Sequence, residues 1–242
     1  MQWEWERLCA CARNPHVPPL LRFYSWQPWA VSLGMHQREE LLDPEQCRRY
    51  GITVVRRPTG GRAVLHAEEV TYAVIVRLSH GRTPQELYRR IHERIAAAIS
   101  GLIGRAIAPL AASADFRRLW NRRLAAACFA SSARSELAVN GRKLVGSAQR
   151  LLHGVLLQHG SILLGDAHVL LAELIAVESE AERAALRSFL AEHSISLARL
   201  LGRPVAYDEV VAALRESFCG VTFPQQRATV QSAAFGSGSS SA

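Results

Sequence analysis

Residues 140–164, "NGRKLVGSAQRLLHGVLLQHGSILL", contain two apolar runs that follow an Asn-Gly turn. Asn-Gly tolerates the positive φ angles of a type I′ turn, so the stretch predicts a β-hairpin. The first run is interrupted by Lys143 and by small or polar side chains at 146–149. Burying a lysine in an apolar hairpin is unfavourable unless its charge is paired or takes part in function. We therefore take this interruption as the first candidate for a functional site.

Strand-like segments dominate the sequence before this hairpin. Residues 20–26, 30–34 and 51–57 are short β-rich runs, and residues 69–78, "EVTYAVIVRL", are apolar at almost every position. A strand without alternation is buried on both faces. This predicts that 69–78 lies in the centre of its sheet.

A helix is predicted directly after residue 83. Thr83 is a typical N-cap, Pro84 suits the first helical position, and Glu86 completes a capping box. Apolar residues then recur every fourth position, which gives the helix one apolar stripe. The stripe consists of Leu87, Ile91, Ile95 and Ile99.

The end of the chain has a different pattern. Residues 166–218 have a helical pattern, and residues 221–242 finish in "FGSGSSSA", which is typical of a flexible tail. Strands first and helices later predict an α+β domain. We assign this domain to residues 1–220, with a helical C-terminal part at about 166–220.

Composition limits the classes of protein that fit. The 242 residues are 49% hydrophobic and have no apolar run of the length a membrane helix needs, so we expect a cytoplasmic protein without a membrane partner. Five scattered cysteines indicate reduced thiols rather than a disulfide framework. The net charge of +8 fits either an acidic partner or an arginine-rich surface. Residues 115–123 are basic, but no nucleic-acid-binding motif accompanies them, so nucleic acid is not expected as a partner.

A second informative stretch is "RRPTGGRAVLH", residues 56–66, which lies between two predicted strands. Pro58 stiffens the turn, and two glycines remove Cβ atoms where a ligand could approach the backbone. Two arginines, a threonine and accessible N–H groups favour an anionic or carbonyl-bearing ligand. The alternative is a plain tight turn. The stretch matches neither the phosphate-binding P-loop nor the dinucleotide-binding glycine motif.

Taken together, these motifs resemble a known family. "RRPTGGRAVLH" followed by "EVTYAVIV", and later "NGRKLVGSAQR" and "LQHGSILL", resemble the biotin/lipoate protein ligase superfamily. The resemblance is closest to the cysteine-dependent octanoyltransferases that are similar in sequence to lipoate-protein ligase. It runs from about residue 1 to 220, and "ACFASSARSELAVNGRK" (127–143) places Cys128 where the family has its cysteine.

The resemblance implies a fold and a reaction. The fold is a mixed β-sheet flanked by helices, with a short helical C-terminal segment. The enzyme takes an octanoyl group from acyl carrier protein, holds it on a cysteine, and transfers it to a lysine of a lipoyl domain or of glycine-cleavage H protein. No metal or other cofactor is expected, and the protein is expected to be a monomer.

Residue types agree with this chemistry. Thioester exchange needs a nucleophile that is also a good leaving group, and a thiolate is both, which favours Cys128. Lys143 can stabilise the negative charge that develops on the thioester oxygen. The remaining cysteines are expected to be structural or peripheral: Cys9, Cys11, Cys47 and Cys219.

The resemblance also implies a set of substrate-binding residues. His66 and His159 are included because either could polarise a group near the thiol, although a structural hydrogen-bonding role is the alternative for both. The full set is Arg56, Arg57, Thr59, Gly60, Gly61, His66, Gly146, Ser147, Ala148, Gln149 and His159.

Two alternative functions remain open. An ATP-dependent lipoate-protein ligase would share the loop at 56–66 and Lys143. Such ligases typically have an Asn-Asp pair shortly before the lysine, where this chain has Ser135-Glu136. The other alternative is a non-catalytic relative that only binds carrier proteins. The sequence also departs from the family in having Ala67 after His66, and in placing Glu4 near the acidic position of the first helix.

Overall fold

A seven-stranded sheet organises the protein. The computed structural model describes residues 1–79, 81–109, 137–220 and 229–232. The strand order in this sheet is β10-β1-β5-β9-β8-β7-β6. Its strands are β1 (Leu20–Tyr24), β5 (Glu69–Arg77), β6 (Ala108–Pro109), β7 (Leu137–Val139), β8 (Arg142–Leu152), β9 (Val155–Leu163) and β10 (Thr229–Ser232).

Most neighbouring strands of this sheet are antiparallel, but β1 and β10 are parallel, so the sheet is mixed. The predicted central strand, β5, lies between β1 and β9 and is buried along nearly its whole length. Strand β10 falls within the segment predicted as a flexible tail. The rest of 221–242 lies outside the described residues, so flexibility there stays a prediction.

A second, three-stranded sheet carries the loop that the sequence singled out. Its order is β3-β2-β4, with β2 (Ala30–Leu33) in the middle, β3 (Thr53–Arg56) parallel to it and β4 (Val64–His66) antiparallel. Strands β3 and β4 therefore do not pair with each other. Because both flank β2, the connection between them is a loop between two edge strands rather than a tight hairpin.

Helices cover both faces of the large sheet. They are α1 (Gln2–Arg13), α2 (Pro44–Arg49), α3 (Pro84–Ile103), α4 (Leu171–Leu174), α5 (Glu180–His193), α6 (Leu197–Leu201) and α7 (Tyr207–Phe218). Helix α3 begins as predicted, because the Thr83 hydroxyl accepts from the Glu86 N–H, and its apolar stripe is buried. None of the described helices has the length and apolarity that a bilayer span requires. The α+β fold with a helical C-terminal part is confirmed.

The two faces of the large sheet bury different clusters. On one face, which we call the α1 face, Leu8 of α1 packs with Ile75 and Leu157. On the other, the α3 face, Ile95 of α3 packs in the cluster that contains Val74. Side chains alternate between the faces along each strand, so the register decides which residues of β8 and β9 meet which helix.

A β-bulge lies next to the predicted hairpin turn. Asn140 and Gly141 have φ values of 51° and 74°, as the type I′ turn requires. Leu137 pairs with Val145 but its neighbour Ala138 pairs with Lys143, so Leu144 is an extra residue on β8. The bulge shifts the alternation by one position. As a result, Lys143 falls on the α1 face, together with Gly146 and Ala148.

Candidate active site

The loop of residues 57–63, which we call the Thr59 loop, is built around a buried arginine. The Arg57 side chain is inside the loop, and Arg57 is only 4% exposed. Its guanidinium donates to the carbonyl oxygens of Ser32 at 2.8 Å, Gly60 at 3.0 Å and Arg62 at 2.6 Å. A Cβ atom on Gly61, where φ is 95°, would lie 2.8 Å from the Arg57 guanidinium. Through these hydrogen bonds, Arg57 fixes the shape of the loop.

Arg56 differs from its neighbour because it is exposed, at the point where β3 ends and the loop begins. Its guanidinium donates to the carbonyl oxygen of Gln37 at 2.6 Å and to that of Gly34 at 3.2 Å. A cavity of about 390 Å³ lies beside it. The cavity lining includes Trp5, Met35, Arg56, Arg57, Pro58 and Arg150. The loop, α1 and β8 therefore border one largely apolar space.

Thr59 attaches the loop to the centre of the large sheet. Its Oγ1 lies 2.6 Å from Nε2 of His159 on β9. The other ring nitrogen of His159, Nδ1, lies 3.1 Å from Oε2 of Glu4 on α1. The Tyr24 hydroxyl donates to Oε1 of Glu4 at 2.6 Å. All four side chains are buried, and we call this series the Thr59–His159–Glu4 chain.

Electrostatics fix the charge of Glu4 in this chain. Burial alone would raise the pKa of the Glu4 carboxyl, but the hydrogen bond and charge of His159, with the Tyr24 hydroxyl, lower it below its usual value. Glu4 is therefore ionised at neutral pH. A carboxylate can only accept, so Nδ1 of His159 carries a proton towards it.

His66 supports the same loop from a second direction. Its Nε2 lies 2.7 Å from the Ser32 hydroxyl, which also accepts from Arg57 at 3.1 Å. Its Nδ1 lies 2.6 Å from Oε1 of Glu69, and its ring stacks on Trp26 at a centroid distance of 4.5 Å. Both predicted histidines are thus hydrogen-bonded within the fold, which is the alternative that the sequence left open for them.

Lys143 is buried, with 3% of its surface exposed. Its carbonyl oxygen accepts from the Ile195 N–H at 2.9 Å, so the segment between α5 and α6 holds the start of β8 in place. In that segment, the Ser194 hydroxyl donates to Leu190 O and lies 2.5 Å from Nε2 of His168. Burial lowers the pKa of His168 to about 4.

The predicted substrate-binding residues of β8 separate onto two faces. Gly146 and Ala148 lie on the α1 face, where Ala148 pairs with His159. Ser147 lies on the α3 face, with its hydroxyl 2.6 Å from the Tyr72 hydroxyl and 2.8 Å from Nε2 of His92. Gln149 donates to Oε1 of Gln158 at 2.9 Å on the same face. The structure therefore does not bring Ser147 and Gln149 together with the Thr59 loop.

Cys128, the predicted nucleophile, and the basic stretch 115–123 lie outside the described residues. Two other cysteines fit a structural role, because burial raises the pKa of Cys11 and of Cys47 and so disfavours their thiolates. Cys9 is partly exposed and Cys219 is exposed.

Some site residues were missed by the sequence reasoning. Glu4 was noted only for its position near an acidic residue of the family, and Arg150 and Tyr24 were not singled out. Arg150 donates to the Pro58 carbonyl at 3.1 Å, which is a further tie between β8 and the loop. The sequence held one signal for Arg150: it lies two residues after Ala148 on a strand, and residues two apart lie on the same face of a sheet.

Comparison with known sequences gives consistent matches over most of the chain. The family model for the lipoyl protein ligase A/B catalytic domain matches residues 1–219. The chain is 44% identical over 213 residues to the octanoyltransferase LipM of Kyrpidia tusciae, covering 84% of this chain and 75% of that protein. It is 35% identical over 206 residues to the octanoyltransferase LipM of Bacillus subtilis, covering 84% and 74%.

Solved structures with a similar fold are more distant in sequence. A bipartite lipoate protein ligase from Thermoplasma acidophilum superposes with a TM-score of 0.65 at 20% identity, covering 88% of this chain and 77% of that one. A lipoate-protein ligase A bound with ATP gives 0.63 at 22% identity, covering 88% and 79%. The family model and the sequence relatives together establish that this chain belongs to the lipoyl protein ligase A/B catalytic-domain family.

Proposed function

We propose that this protein is an octanoyltransferase of lipoate biosynthesis. In this proposal the octanoyl group comes from octanoyl-acyl carrier protein, rests on Cys128 as a thioester, and passes to a lysine of a lipoyl domain or of glycine-cleavage H protein. The observation that carries the proposal is the match to octanoyltransferases at 35% to 44% identity over 84% of the chain. Such an enzyme is an acyltransferase. In this proposal it acts as a monomer, and residues 1–220 form its catalytic domain.

The geometry of the α1 face supports this function. The Thr59 loop and the cavity beside it give a mostly apolar space bordered by arginine side chains, which suits a fatty acyl chain with one polar carbonyl. Gly146 and Ala148 line the same face with little side-chain volume, so a chain can lie close to β8. Lys143 follows on that face, where its ammonium can meet the reacting carbonyl.

The reaction proceeds in two displacements. The Cys128 thiolate attacks the carbonyl carbon of the carrier thioester, and the carrier's thiolate leaves when the tetrahedral intermediate collapses. The acceptor lysine then attacks the new thioester as a neutral amine. When this tetrahedral intermediate collapses, the amide forms, Cys128 leaves as a thiolate, and the proton of the attacking nitrogen passes to water. Lys143 stabilises the oxyanion of both tetrahedral intermediates.

The test is to mix the protein with octanoyl-acyl carrier protein, without ATP, and to measure its intact mass. The expected result is a gain of one octanoyl group that hydroxylamine removes, as thioesters require. Cys128→Ser should not gain mass, while Cys219→Ser, which changes an exposed thiol outside the site, should load normally. Octanoylation of a lipoyl domain that requires ATP and free octanoate, with no loading from the carrier, would instead identify a ligase. No transfer under either condition would favour the non-catalytic relative.

A further inference from the structure

The Thr59–His159–Glu4 chain connects parts of the protein that are far apart in sequence. Glu4 lies on α1, His159 on β9, and Thr59 in the loop between the edge strands of the small sheet. Glu4 and Thr59 are fully buried and His159 is 4% exposed, so water does not substitute for a missing partner. Such an arrangement is costly unless every member is satisfied.

The hydrogen bonds of this chain run in one direction. The ionised Glu4 accepts from Tyr24 on one oxygen and from Nδ1 of His159 on the other. When His159 is neutral, its Nε2 carries a lone pair, so the Thr59 hydroxyl must donate to it across the 2.6 Å contact. Glu4 therefore holds a proton on Nδ1 of His159, and in the neutral ring this makes the Thr59 hydroxyl the donor to Nε2.

Among the described residues of the sheet, His159 is the side chain that Thr59 Oγ1 contacts. Its partners in the neighbouring strands are Ala73 on β5 and Ala148 on β8, whose methyl groups offer no hydrogen bond. The loop has other attachments through its backbone, since Thr59 O accepts from the Met35 N–H at 2.9 Å and Pro58 O accepts from Arg150. Met35 and Arg150 line the cavity, so these attachments hold the cavity side of the loop, whereas Thr59 Oγ1 attaches the loop to β9.

We propose that Glu4 and His159 are positioning residues, which act through Thr59 to hold the Thr59 loop at the height above β8 that the octanoyl donor requires. This inference rests on the proposed function, because it assigns a task to the loop in donor binding. It adds that the first helix, through a single carboxylate, controls the donor-binding loop. Neither Glu4 nor His159 needs to contact the reacting atoms.

The first experiment measures acyl-enzyme formation against the concentration of octanoyl-acyl carrier protein. Thr59→Val keeps the shape of the side chain and removes the hydroxyl. Its half-saturating donor concentration should rise roughly ten-fold, which corresponds to one buried hydrogen bond left unmade, while the saturated rate stays close to that of the wild type. Thr59→Ser retains the hydroxyl and should stay within about two-fold of the wild type. A Thr59→Val protein that saturates like the wild type would overturn the proposal.

A double variant tests whether Glu4 acts through the chain. Glu4→Gln keeps the volume of the side chain, but an amide has only one acceptor oxygen and so cannot accept from both Tyr24 and His159. This variant should raise the half-saturating donor concentration by a similar factor. In the double variant Glu4→Gln/Thr59→Val, the half-saturating donor concentration should exceed that of the more severe single variant by no more than about two-fold. The reason is that both substitutions break the same series of contacts. Effects that multiply would show that Glu4 acts independently of Thr59. Ser179→Ala, which removes the N-cap of α5 and no contact of the Thr59–His159–Glu4 chain, controls for a general loss of stability.

Hydrogen exchange of the loop provides a readout that does not depend on catalysis. Amides of the peptide covering 57–63 should exchange roughly ten-fold faster in Thr59→Val and Glu4→Gln than in the wild type or in Ser179→Ala. If the wild type fails to load but this pattern appears, the proposed function is wrong and the positioning of the loop stands. Unchanged exchange of the loop in both variants would overturn the positioning role even if the enzyme loads normally.

Discussion

The two faces of the large sheet each bury a polar network, yet the networks have different surroundings. On the α1 face, His159 connects Glu4 with a loop that borders a cavity. On the α3 face, Ser147 connects Tyr72 with His92 beneath a helix. Both networks contain a histidine and a hydroxyl at hydrogen-bond distance. Residue types alone therefore do not separate a network that borders a cavity from one that lies beneath a helix.

The difference lies in what each network holds. The α1 network attaches a loop that has glycines and a cavity beside it, so its loss should alter ligand binding. The α3 network joins α3 to β8 and β5, and its loss should alter stability. Adjacent side chains of β8 lie on opposite faces of the sheet, because side chains alternate along a strand. A polar stretch such as 146–149 can thus contain residues of both kinds.

The largest effect is expected at Lys143, which the bulge places on the α1 face. Lys143→Ala should lower the saturated single-turnover rate from octanoyl-acyl carrier protein to a lipoyl domain by roughly 10²–10³-fold, the usual loss for one oxyanion donor. Lys143→Arg should restore little, because a planar guanidinium does not replace a compact ammonium. If Lys143→Ala weakens donor binding but keeps the saturated rate, the lysine binds substrate and does not stabilise the transition state.

The next largest effect tests the packing of the α3 face. A Cβ atom at Gly160 would overlap the Gly146 carbonyl oxygen and would lie 2.6 Å from the Tyr72 ring and 2.7 Å from the Ser147 hydroxyl. Gly160→Ala should therefore lower the free energy of unfolding by about 3 kcal/mol, measured by urea denaturation. Gly101→Ala is the matched control. Within the described part of the chain, no heavy atom outside the neighbouring backbone of α3 lies within 4 Å of that Cβ position, so Gly101→Ala should stabilise α3 by roughly 0.5–1 kcal/mol. Equal stability of the two variants would contradict the packing described here.

The third prediction concerns acid stability of the segment behind Lys143. Burial lowers the pKa of His168 from 6.5 to about 4, so the unfolded chain binds a proton at this site more readily than the folded protein. Its contribution to stability is complete above pH 6.5 and is lost as the pH falls towards 4. The loss should reach roughly 3 kcal/mol.

The measurement is the free energy of unfolding from pH 7 to pH 4 in the wild type and in His168→Gln, which cannot titrate. The variant should be less stable at neutral pH and should lose less stability on acidification. Parallel pH profiles for the two proteins would show that His168 is not the group responsible.

The smallest effect separates the two faces most directly. Ser147→Ala removes one hydrogen bond from Tyr72 and one from His92, and should lower the free energy of unfolding by about 1–2 kcal/mol. Its half-saturating concentration of octanoyl-acyl carrier protein should stay within about two-fold of the wild type. The opposite pattern, normal stability with weakened loading, would place the α3 network in the substrate site and remove the distinction between the faces.

Local features were predictable wherever one residue type satisfies a local requirement. Thr83 and Pro84 correctly predicted the beginning of α3, because capping depends on neighbouring residues in the chain. Asn140-Gly141 correctly predicted the hairpin turn, because these two residue types tolerate positive φ angles. The apolar run of β5 indicated a central strand for a similar reason, since burial on both faces requires apolar residues throughout. The loop at 56–66 and Lys143 were also singled out from the sequence through their motifs, and their roles in substrate binding and catalysis stay predictions.

The separation of Lys143 from Ser147 and Gln149 was decided by the tertiary structure. Simple alternation along β8 would place all three on one face, but Leu144 is accommodated as a bulge against Leu137, and this shift moves Lys143 to the other face. A bulge depends on how two strands pair and pack, which a local pattern does not encode.

The sequence by itself determined the central strand β5, helix α3, the hairpin and the chemical types at the candidate site, but it did not predict β10. It did not determine that Glu4 and Thr59, 55 positions apart in the chain, contact opposite ring nitrogens of His159. Local structure follows from short-range sterics and backbone hydrogen bonding, which neighbouring residues specify. Long-range polar contacts arise only when packing removes water from groups on separate elements, and their geometry is therefore set by the tertiary structure.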